Sequence, residues 1–380
     1  MLVIRLGILK RVGFLTYILL NMFRGNFCFR SQITALRHVQ RHQLRSTATG
    51  FSNLEQSVVL CEEDWRKEAV AHSMALDSLL YPSSSAKSRF QPKRKQALHK
   101  PSVKTHLVSD NPIYNFLHSY YKYSTADLKK YSPGMSVTMA GALPSAYSEI
   151  LNEKFMTFSE IGGCYNASQF RQLAGGKYSL ERITRDRDVL RSTSTKVPFF
   201  GCFGLHEWAM LYSGNGSATS RHQESTPLRV DQQTIDAVVG VPGQLRCTHY
   251  DAFRFFQPAA KPINAVKTLS RENTPRHEQP GCIHANMDLF RYAYQLYPFV
   301  SSALLVQTLT LALEARKIDM RASPYDVSAF EGCEVPICVE TPQGRKLYIE
   351  EQERVAAAAV PIRKALLDIY DEVLIRCGSE

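Results

Sequence analysis

The 380-residue sequence lacks several features that would assign a protein class directly. It has no glycine-rich phosphate-binding loop of the Walker type, no dinucleotide-binding fingerprint and no Gly-x-Ser-x-Gly nucleophile motif. These absences exclude the most familiar nucleotide-binding and serine-hydrolase motifs. No apolar run reaches the roughly 18 residues that a membrane-spanning helix needs, so we expect no transmembrane span.

The cysteine pattern also lacks the signs of a disulfide scaffold or a zinc finger. The nine cysteines are an odd number at irregular spacing, and no Cys-x-x-Cys pair occurs. This pattern favours a reduced compartment over a secreted disulfide framework. Cys333 and Cys338 are close in sequence, but no second pair lies nearby, so we interpret them as core thiols.

Acidic residues are missing from two parts of the chain. The formal net charge is +11, of which residues 1–54 contribute +8 and residues 87–104 contribute +7, both without any acid. The remainder therefore nets −4. The apolar content of the whole chain is 44%, which is ordinary for a globular protein. A duplex-DNA enzyme should carry a basic face on its folded domain, and this body gives no indication of one.

The two basic segments read as different kinds of extension. Residues 1–54 are rich in Arg, with Ser and Thr toward the end, which predicts a transit peptide for a mitochondrion or plastid. The apolar stretch at residues 12–23 makes a secretory signal an alternative interpretation. A second alternative is a start codon placed too far upstream, which would predict a cytoplasmic protein. Residues 83–108 are predicted to be a flexible linker or loop insertion. A tether to nucleic acid or an anionic membrane is the alternative, although Phe90 is the one aromatic residue that lies among the charges.

Helical periodicity dominates the rest of the sequence. Residues 55–82 predict a helical lead-in, and residues 109–380 predict one main domain. Asp110 before Pro112 marks a plausible helix start. The expected fold class is mainly α, a multi-helical single domain with a minor β component.

Two long helices and two short strands are the clearest elements. Residues 302–320 are apolar on nearly every face and predict a central buried helix. Residues 346–375 place apolar side chains on one stripe, within which Pro361 implies a kink or a restart. Strand signals are confined to residues 228–230 and 336–340.

Three segments each combine a cysteine, a histidine and a carboxylate in apolar surroundings. They read FFGCFGLHEWAMLY (199–212), RCTHYDAFRFF (246–256) and QPGCIHANMDLFRYAY (279–294). Their polar sets are Cys202, His206 and Glu207; Cys247, His249 and Asp251; and Cys282, His284 and Asp288. Such groups are costly to bury unpaired, so they should pair with one another, with a ligand or with a metal.

A shared metal site is one interpretation of these sets. Its predicted ligands are His206, His249 and His284, with the three cysteines as further candidates, and the donor types suit zinc, iron or manganese. The candidate catalytic carboxylates are Asp251, Glu207 and Asp288. Two alternatives stay open: a metal-free polar pocket, and purely structural hydrogen-bond networks. Because His206 and Glu207 are adjacent on a predicted helix, they should not bind one ion together.

A pocket of this composition predicts a small aromatic or anionic ligand. A fourth segment, KIDMRASPYD (317–326), brings Asp319, Arg321 and Asp326. The candidate ligand-binding residues are Arg254, Arg321, Tyr250 and Asn286, because guanidinium groups bind carboxylates or phosphates and aromatic rings stack on flat ligands. Arg254 equally suits an ion pair with Asp251 three residues earlier on a helix.

The same motifs resemble a family of uncharacterised, mainly actinobacterial proteins often labelled 3-methyladenine DNA glycosylase. The matching positions are 198–212, 246–256, 278–296 and 318–327, with a similar stretch at 120–134, so the resemblance spans roughly residues 60–375. It implies excision of an alkylated adenine from DNA by N-glycosidic bond cleavage. In that role Asp251 or Asp288 would stabilise the developing sugar cation.

The sequence therefore supports three hypotheses about function. The leading one is a small-molecule enzyme with hydrolase- or lyase-type chemistry in a His/Cys/carboxylate pocket, in which His249 and His284 contact the reactants directly. The second is the DNA-base glycosylase. The third is a non-enzymatic helical interaction module, which predicts that the three histidines sit in separate, ligand-free networks.

Overall fold

The computed structural model describes residues 58–81, 112–168, 179–214 and 226–378. The predicted transit segment (1–54) and the predicted basic linker (83–108) lie outside these residues. The described residues all belong to one unit, Ser57–Glu380, so the predicted helical lead-in is part of the main body.

Helices account for most of the described chain, as the sequence periodicity predicts. In chain order they are α1 (Glu62–Leu80), α2 (Pro112–Tyr121), α3 (Thr125–Lys129), α4 (Leu180–Ser194), α5 (Leu205–Ala209), α6 (Gln232–Val239), α7 (Tyr250–Phe253), α8 (Thr274–His277), α9 (Ile283–Leu296), α10 (Ser302–Ala322) and α11 (Pro342–Gly378). Single 3-10 turns occupy Glu153–Phe155 and Lys261–Ile263. The fold is mainly α with a minor β component, which confirms the predicted class.

The β component is one small mixed sheet near the start of the described chain. Its strands are β1 (Val58–Leu60), β2 (Val137–Ala140), β3 (Met156–Phe158) and β4 (Gly162–Tyr165), in the order β1-β2-β4-β3. The β1–β2 pair is parallel and the other two pairs are antiparallel. A Cβ added to Gly162 would lie 1.9 Å from the Met139 carbonyl oxygen, so only glycine permits this approach of β4 to β2.

Both strand predictions from the sequence were wrong. Leu228 forms only an isolated bridge with Tyr325. The chain at 336–340 lacks a neighbouring strand, because the Ile337 N–H bonds instead to the Arg321 carbonyl near the end of α10. The predicted helix over 55–82 also begins late, since residues 58–60 pair with β2 before α1 starts at Glu62.

The core is formed by α9, α10 and α11, which pack against one another, with α4 also against α11. Nearly every residue of α9 is buried, and α10 is buried over most of its surface, as its apolar sequence predicts. The predicted stripe of α11 is confirmed where Val355, Ala359, Leu366 and Val373 are fully buried. The helix runs without a restart through Pro361, which lies on the exposed face, where solvent can satisfy the carbonyl that loses its partner.

No helix in the described ranges is both long and apolar enough to cross a membrane.

Candidate metal centre

The first site segment enters α5 through two consecutive left-handed residues, Phe203 (φ 49°) and Gly204 (φ 66°). A Cβ on Gly204 would lie 3.2 Å from the Tyr348 side chain, so glycine lets α5 approach α11 closely. Trp208 is fully buried and its Nε1–H donates to the Ala322 carbonyl at 2.9 Å. These contacts hold α5 against α10 and α11 and direct His206 into the interior, where it is buried.

The second segment is fixed by a buried amide side chain. Asn264 accepts a hydrogen bond from the Cys247 N–H at 2.8 Å and donates to the Cys247 carbonyl at 3.1 Å. It also donates to the Val266 carbonyl at 2.8 Å. The backbone before α7 is therefore clamped, and His249, the residue before the first turn of α7, is buried at 3% exposure.

The third segment begins α9 beside the first. A Cβ on Gly281 would lie 2.6 Å from the Phe199 carbonyl oxygen, so glycine allows the two backbones to touch. Gln352 of α11 donates from Nε2 to the Gly281 carbonyl at 2.5 Å and lies 3.3 Å from Cys202 Sγ. One side chain of α11 thus ties the first and third segments together, and His284 lies in the first turn of α9.

The three predicted segments converge at one point in the structure. The His284 ring centroid lies 4.4 Å from that of His206 and 5.1 Å from that of His249, so His284 contacts both other imidazoles. A cavity of about 20 Å³ adjoins His206 and His284. Its lining consists of Cys202, His206, Leu245, Cys247, Thr248, Cys282, Ile283, His284 and Tyr348. This volume is enough for one water molecule or one ion.

Two of the histidines and a carboxylate of α10 form a group of possible metal ligands, called the donor group below. His206, His284 and Asp319 each place one donor atom within 4.8 Å of the others, and all three residues are buried. Within the described ranges, these are the three side chains of this type that come so close. His206 Nε2 and Asp319 Oδ1 lie 2.7 Å apart and form a buried ion pair. Two imidazoles and a carboxylate this close together are ligand types that bind transition metals.

The other oxygen of this carboxylate is occupied. Arg316 donates from Nη1 to Asp319 Oδ2 at 2.5 Å and to Glu207 Oε1 at 2.9 Å. Its guanidinium carbon lies 3.8 Å from the ring centroid of Phe116, which covers it from α2. Glu207 thus faces Arg316 while His206 faces the cavity, as their adjacent helical positions predict.

The charges of the donor group are set by burial and by these neighbours. Burial alone would raise the pKa of Asp319, but His206 and Arg316 hold it well below its usual value, so Asp319 is ionised. Burial lowers the pKa of His284 well below its usual value, and His206 adds to this effect, so His284 is neutral with a free lone pair. Burial also opposes the charge on His206, but Asp319 outweighs it and raises the pKa of His206.

His249 belongs to a neighbouring network, outside the donor group. Its Nε2 lies 3.5 Å from Asp288 Oδ2 and 3.8 Å from Glu278 Oε2. Asp288 also accepts from the Tyr121 hydroxyl at 2.9 Å and pairs with Arg291 at 3.1 Å. Asp288 is therefore a saturated ion-pair acceptor in the interior, and His249 supports the ring of His284.

The three cysteines line the cavity but do not join the donor group. Burial raises the pKa of Cys247 to about 12 and that of Cys282 well above its usual value. Burial likewise raises the pKa of Cys202. As the structure stands they are protonated thiols, which form an apolar wall with Ile283.

The remaining predicted site residues are not gathered at the cavity. Asp251 pairs with Arg254 at 3.0 Å, with side chains 32% and 42% exposed, which is the ion pair that their spacing allowed. Arg321 donates to the Val335 carbonyl and faces Glu351. Asn286 is buried between the Pro280 carbonyl and Arg363, which gives it a structural role. Tyr250 is half-buried at the start of α7.

Several side chains that position the site carry no sequence signal. Asn264 and Gln352 lie in no motif, and Arg316 lies just outside the fourth segment, so tertiary packing is what places them at the site. Asp319 stands in the fourth segment that the sequence singled out, and its spacing of three from Arg316 is the signal that could have predicted the pair.

Comparison with protein-family models, curated proteins and solved structures gives no match for the chain. The resemblance to the family labelled as a glycosylase therefore stays a prediction.

Proposed function

We propose that this protein is a metal-dependent enzyme whose centre is formed by His206, His284 and Asp319. The observation that carries the proposal is that these three buried side chains each place one possible ligand atom within 4.8 Å of the others, beside a cavity. Burying an ionised carboxylate is costly, and a cation shared by these three side chains would stabilise it.

The donor types and the space around them support a transition metal. Two imidazoles and one carboxylate are a ligand set of catalytic zinc sites and of non-haem iron(II) sites. Three protein ligands leave a position open, and the adjoining cavity of about 20 Å³ matches one water-sized ligand. Zinc and ferrous iron are therefore the proposed cofactors, and the neutral His284 is ready to bind either ion.

The proposed reaction class is hydrolysis or elimination. A bound ion would act as a Lewis acid that polarises the oxygen of the reacting group. The chain's own residues position it: Arg316 orients Asp319, and His249 stacks on His284. Ligand pockets usually measure about 300–1,000 Å³, far more than the cavity of about 20 Å³. The substrate must therefore insert only a small reacting group, or the segments at 199–212 and 246–256 must move to enlarge the cavity.

A second candidate, excision of alkylated adenine from DNA, is favoured by one surface feature. Phe255 is 48% exposed, and the Arg254 guanidinium lies 4.3 Å from its ring centroid. An exposed aromatic ring beside Arg254 and Asp251 could hold a flipped base. This activity would release 3-methyladenine from alkylated DNA and be lost in Asp251→Asn. Absence of release at high enzyme concentration would count against it.

Elemental analysis of protein purified without chelator tests the leading proposal. We expect about one zinc or iron per chain in the wild type. His284→Ala and Asp319→Asn should lose the ion, and His277→Ala is the matched control that should keep it, because His277 lies outside the donor group and bonds to Thr268 in an exposed position. A wild-type protein that retains no transition metal after incubation with Zn²⁺ or Fe²⁺ would contradict the proposal.

A further inference from the structure

Arg316 is the only arginine side chain described at the donor group, and it bonds to the carboxylate rather than to the cavity. It is buried at 6% exposure in α10, one turn before Asp319. A guanidinium this close to a cation site would ordinarily repel the ion. Here Glu207 accepts from the same nitrogen at 2.9 Å, so Arg316, Glu207 and Asp319 together carry one net negative charge.

The geometry divides the two oxygens of Asp319 between different tasks. Oδ2 accepts from Arg316, while Oδ1 faces His206 Nε2 at 2.7 Å. An oxygen already held by a charged donor is a poor second ligand, because the ion would have to displace that donor. The carboxylate is therefore arranged to offer one oxygen.

Arg316 is itself held in place. Its guanidinium lies 3.8 Å from the Phe116 ring centroid, so an aromatic face from α2 packs on one side. Glu207 fixes it from α5, the helix that also carries His206. Contacts from α2, α5 and α10 thus determine the orientation of the Asp319 side chain. Because α5 carries both Glu207 and His206, the Glu207–Arg316 ion pair also links the positions of His206 and Asp319.

We infer that Arg316 is a positioning residue that makes Asp319 a one-oxygen ligand and so sets both the affinity and the selectivity of the metal centre. This inference rests on the proposed function. One-oxygen carboxylates suit the four-coordinate geometry of zinc, whereas two-oxygen carboxylates suit larger ions of higher coordination number. Arg316 therefore favours Zn²⁺ over Mn²⁺ and Ca²⁺ at this site.

The test measures the Kd of the full-length protein for Zn²⁺ and for Mn²⁺ in the wild type and two variants. Arg316→Lys keeps the charge but replaces the planar guanidinium by a single ammonium. Arg316→Met combined with Glu207→Gln keeps the net charge of the trio and removes the bond to Asp319, which guards against misfolding from an uncompensated buried charge. The matched control is Arg354→Lys, because Arg354 bridges Glu314 and Glu351 at 2.8 and 3.0 Å, away from the site.

The expected result is a Zn²⁺ affinity about 10–100-fold weaker in both Arg316 variants. The ratio of Zn²⁺ to Mn²⁺ affinity should also fall, because Asp319 is then free to use both oxygens. A purely structural role would not change that ratio, and Arg354→Lys should leave both constants as in the wild type. If the wild type binds Zn²⁺ and the Kd of the folded Arg316 variants changes by less than about threefold, the inference is wrong but the proposed function stands. Failure of the wild type to bind either Zn²⁺ or Fe²⁺ would instead overturn the proposed function.

Discussion

Replacing Asn264 by alanine should destabilise the protein far more than its single position suggests. The fully buried Asn264 side chain satisfies three backbone groups, which are the Cys247 N–H, the Cys247 carbonyl and the Val266 carbonyl. Each buried group left unpaired costs about 1–3 kcal/mol, and carbonyls tolerate this better than N–H groups. We therefore expect Asn264→Ala to lower the free energy of unfolding by about 3–5 kcal/mol.

Denaturation by urea, followed by tryptophan fluorescence, measures this change directly. The two tryptophans of the chain, Trp65 and Trp208, are both fully buried, so unfolding exposes them. The matched control is Asn273→Ala, because the Asn273 side chain donates one bond, to the Thr268 carbonyl, in an exposed position. A difference between the two variants of less than about 1 kcal/mol would refute the reasoning. Because Asn264 contacts none of the proposed ligands, Asn264→Ala should still bind Zn²⁺ while folded.

Three further predictions concern the same region. Because Gly204 has a φ of +66° and an added Cβ would lie 3.2 Å from Tyr348, Gly204→Ala should lower the unfolding free energy in urea by about 1–3 kcal/mol; unchanged stability would contradict this. Burial would raise the pKa of Asp288, but Arg291 and His249 hold it below its usual 3.8. The ionised Asp288 therefore stabilises the folded protein above pH 3.8, and this stabilisation is lost as the pH falls below that value and Asp288 is protonated. Asp288→Asn should therefore reduce the loss of circular dichroism signal on acidification, and an unchanged acid transition would count against the pairing. Because Asp319 outweighs burial and raises the pKa of His206, Zn²⁺ binding near pH 6.5, the usual pKa of imidazole, should displace protons from His206. Calorimetry in buffers of different ionisation enthalpy would then give different heats, and equal heats would contradict it.

The long helices could be predicted from the sequence because their pattern repeats over many turns. The apolar stripe of α11 and the apolar length of α10 each provide many positions that agree. The four strands have only three or four residues each, and β4 contains two glycines, so alternation has no length in which to appear. Residues 336–340 have strand-like composition, yet their backbone bonds to the end of a helix, which only tertiary structure determines.

The site was predictable as a region and only partly as a set of residues. Polar side chains in apolar segments marked all three segments that meet at the cavity, because burial forces such groups to find partners. The helical faces were harder to assign. In α10, Asp319 is fully buried at the site while Arg321, two residues later, turns toward Glu351. A helix that is apolar on nearly every face does not show which side faces which neighbour.

The choice among the three histidines depended on partners from distant parts of the chain. His249 lies near Glu278 and Asp288, whereas His206 lies near Asp319 from α10. The spacing of cysteine, histidine and carboxylate differs among the segments, but none matches a known metal-binding motif, so the local sequence does not identify the ligands. The packing of α9 against α10 makes the distinction, because it places His284 beside Asp319. The carboxylates of Glu278 and Asp288 face His249 instead.

X-ray absorption spectroscopy of the zinc-loaded protein tests the central claim most directly. With His206, His284 and Asp319 as ligands, the spectrum should show only nitrogen and oxygen neighbours at about 2.0–2.2 Å, with the outer-shell scattering of two imidazoles. Sulfur neighbours at about 2.3 Å would mean that the ion binds the cavity thiols Cys202, Cys247 or Cys282. That result would contradict the account.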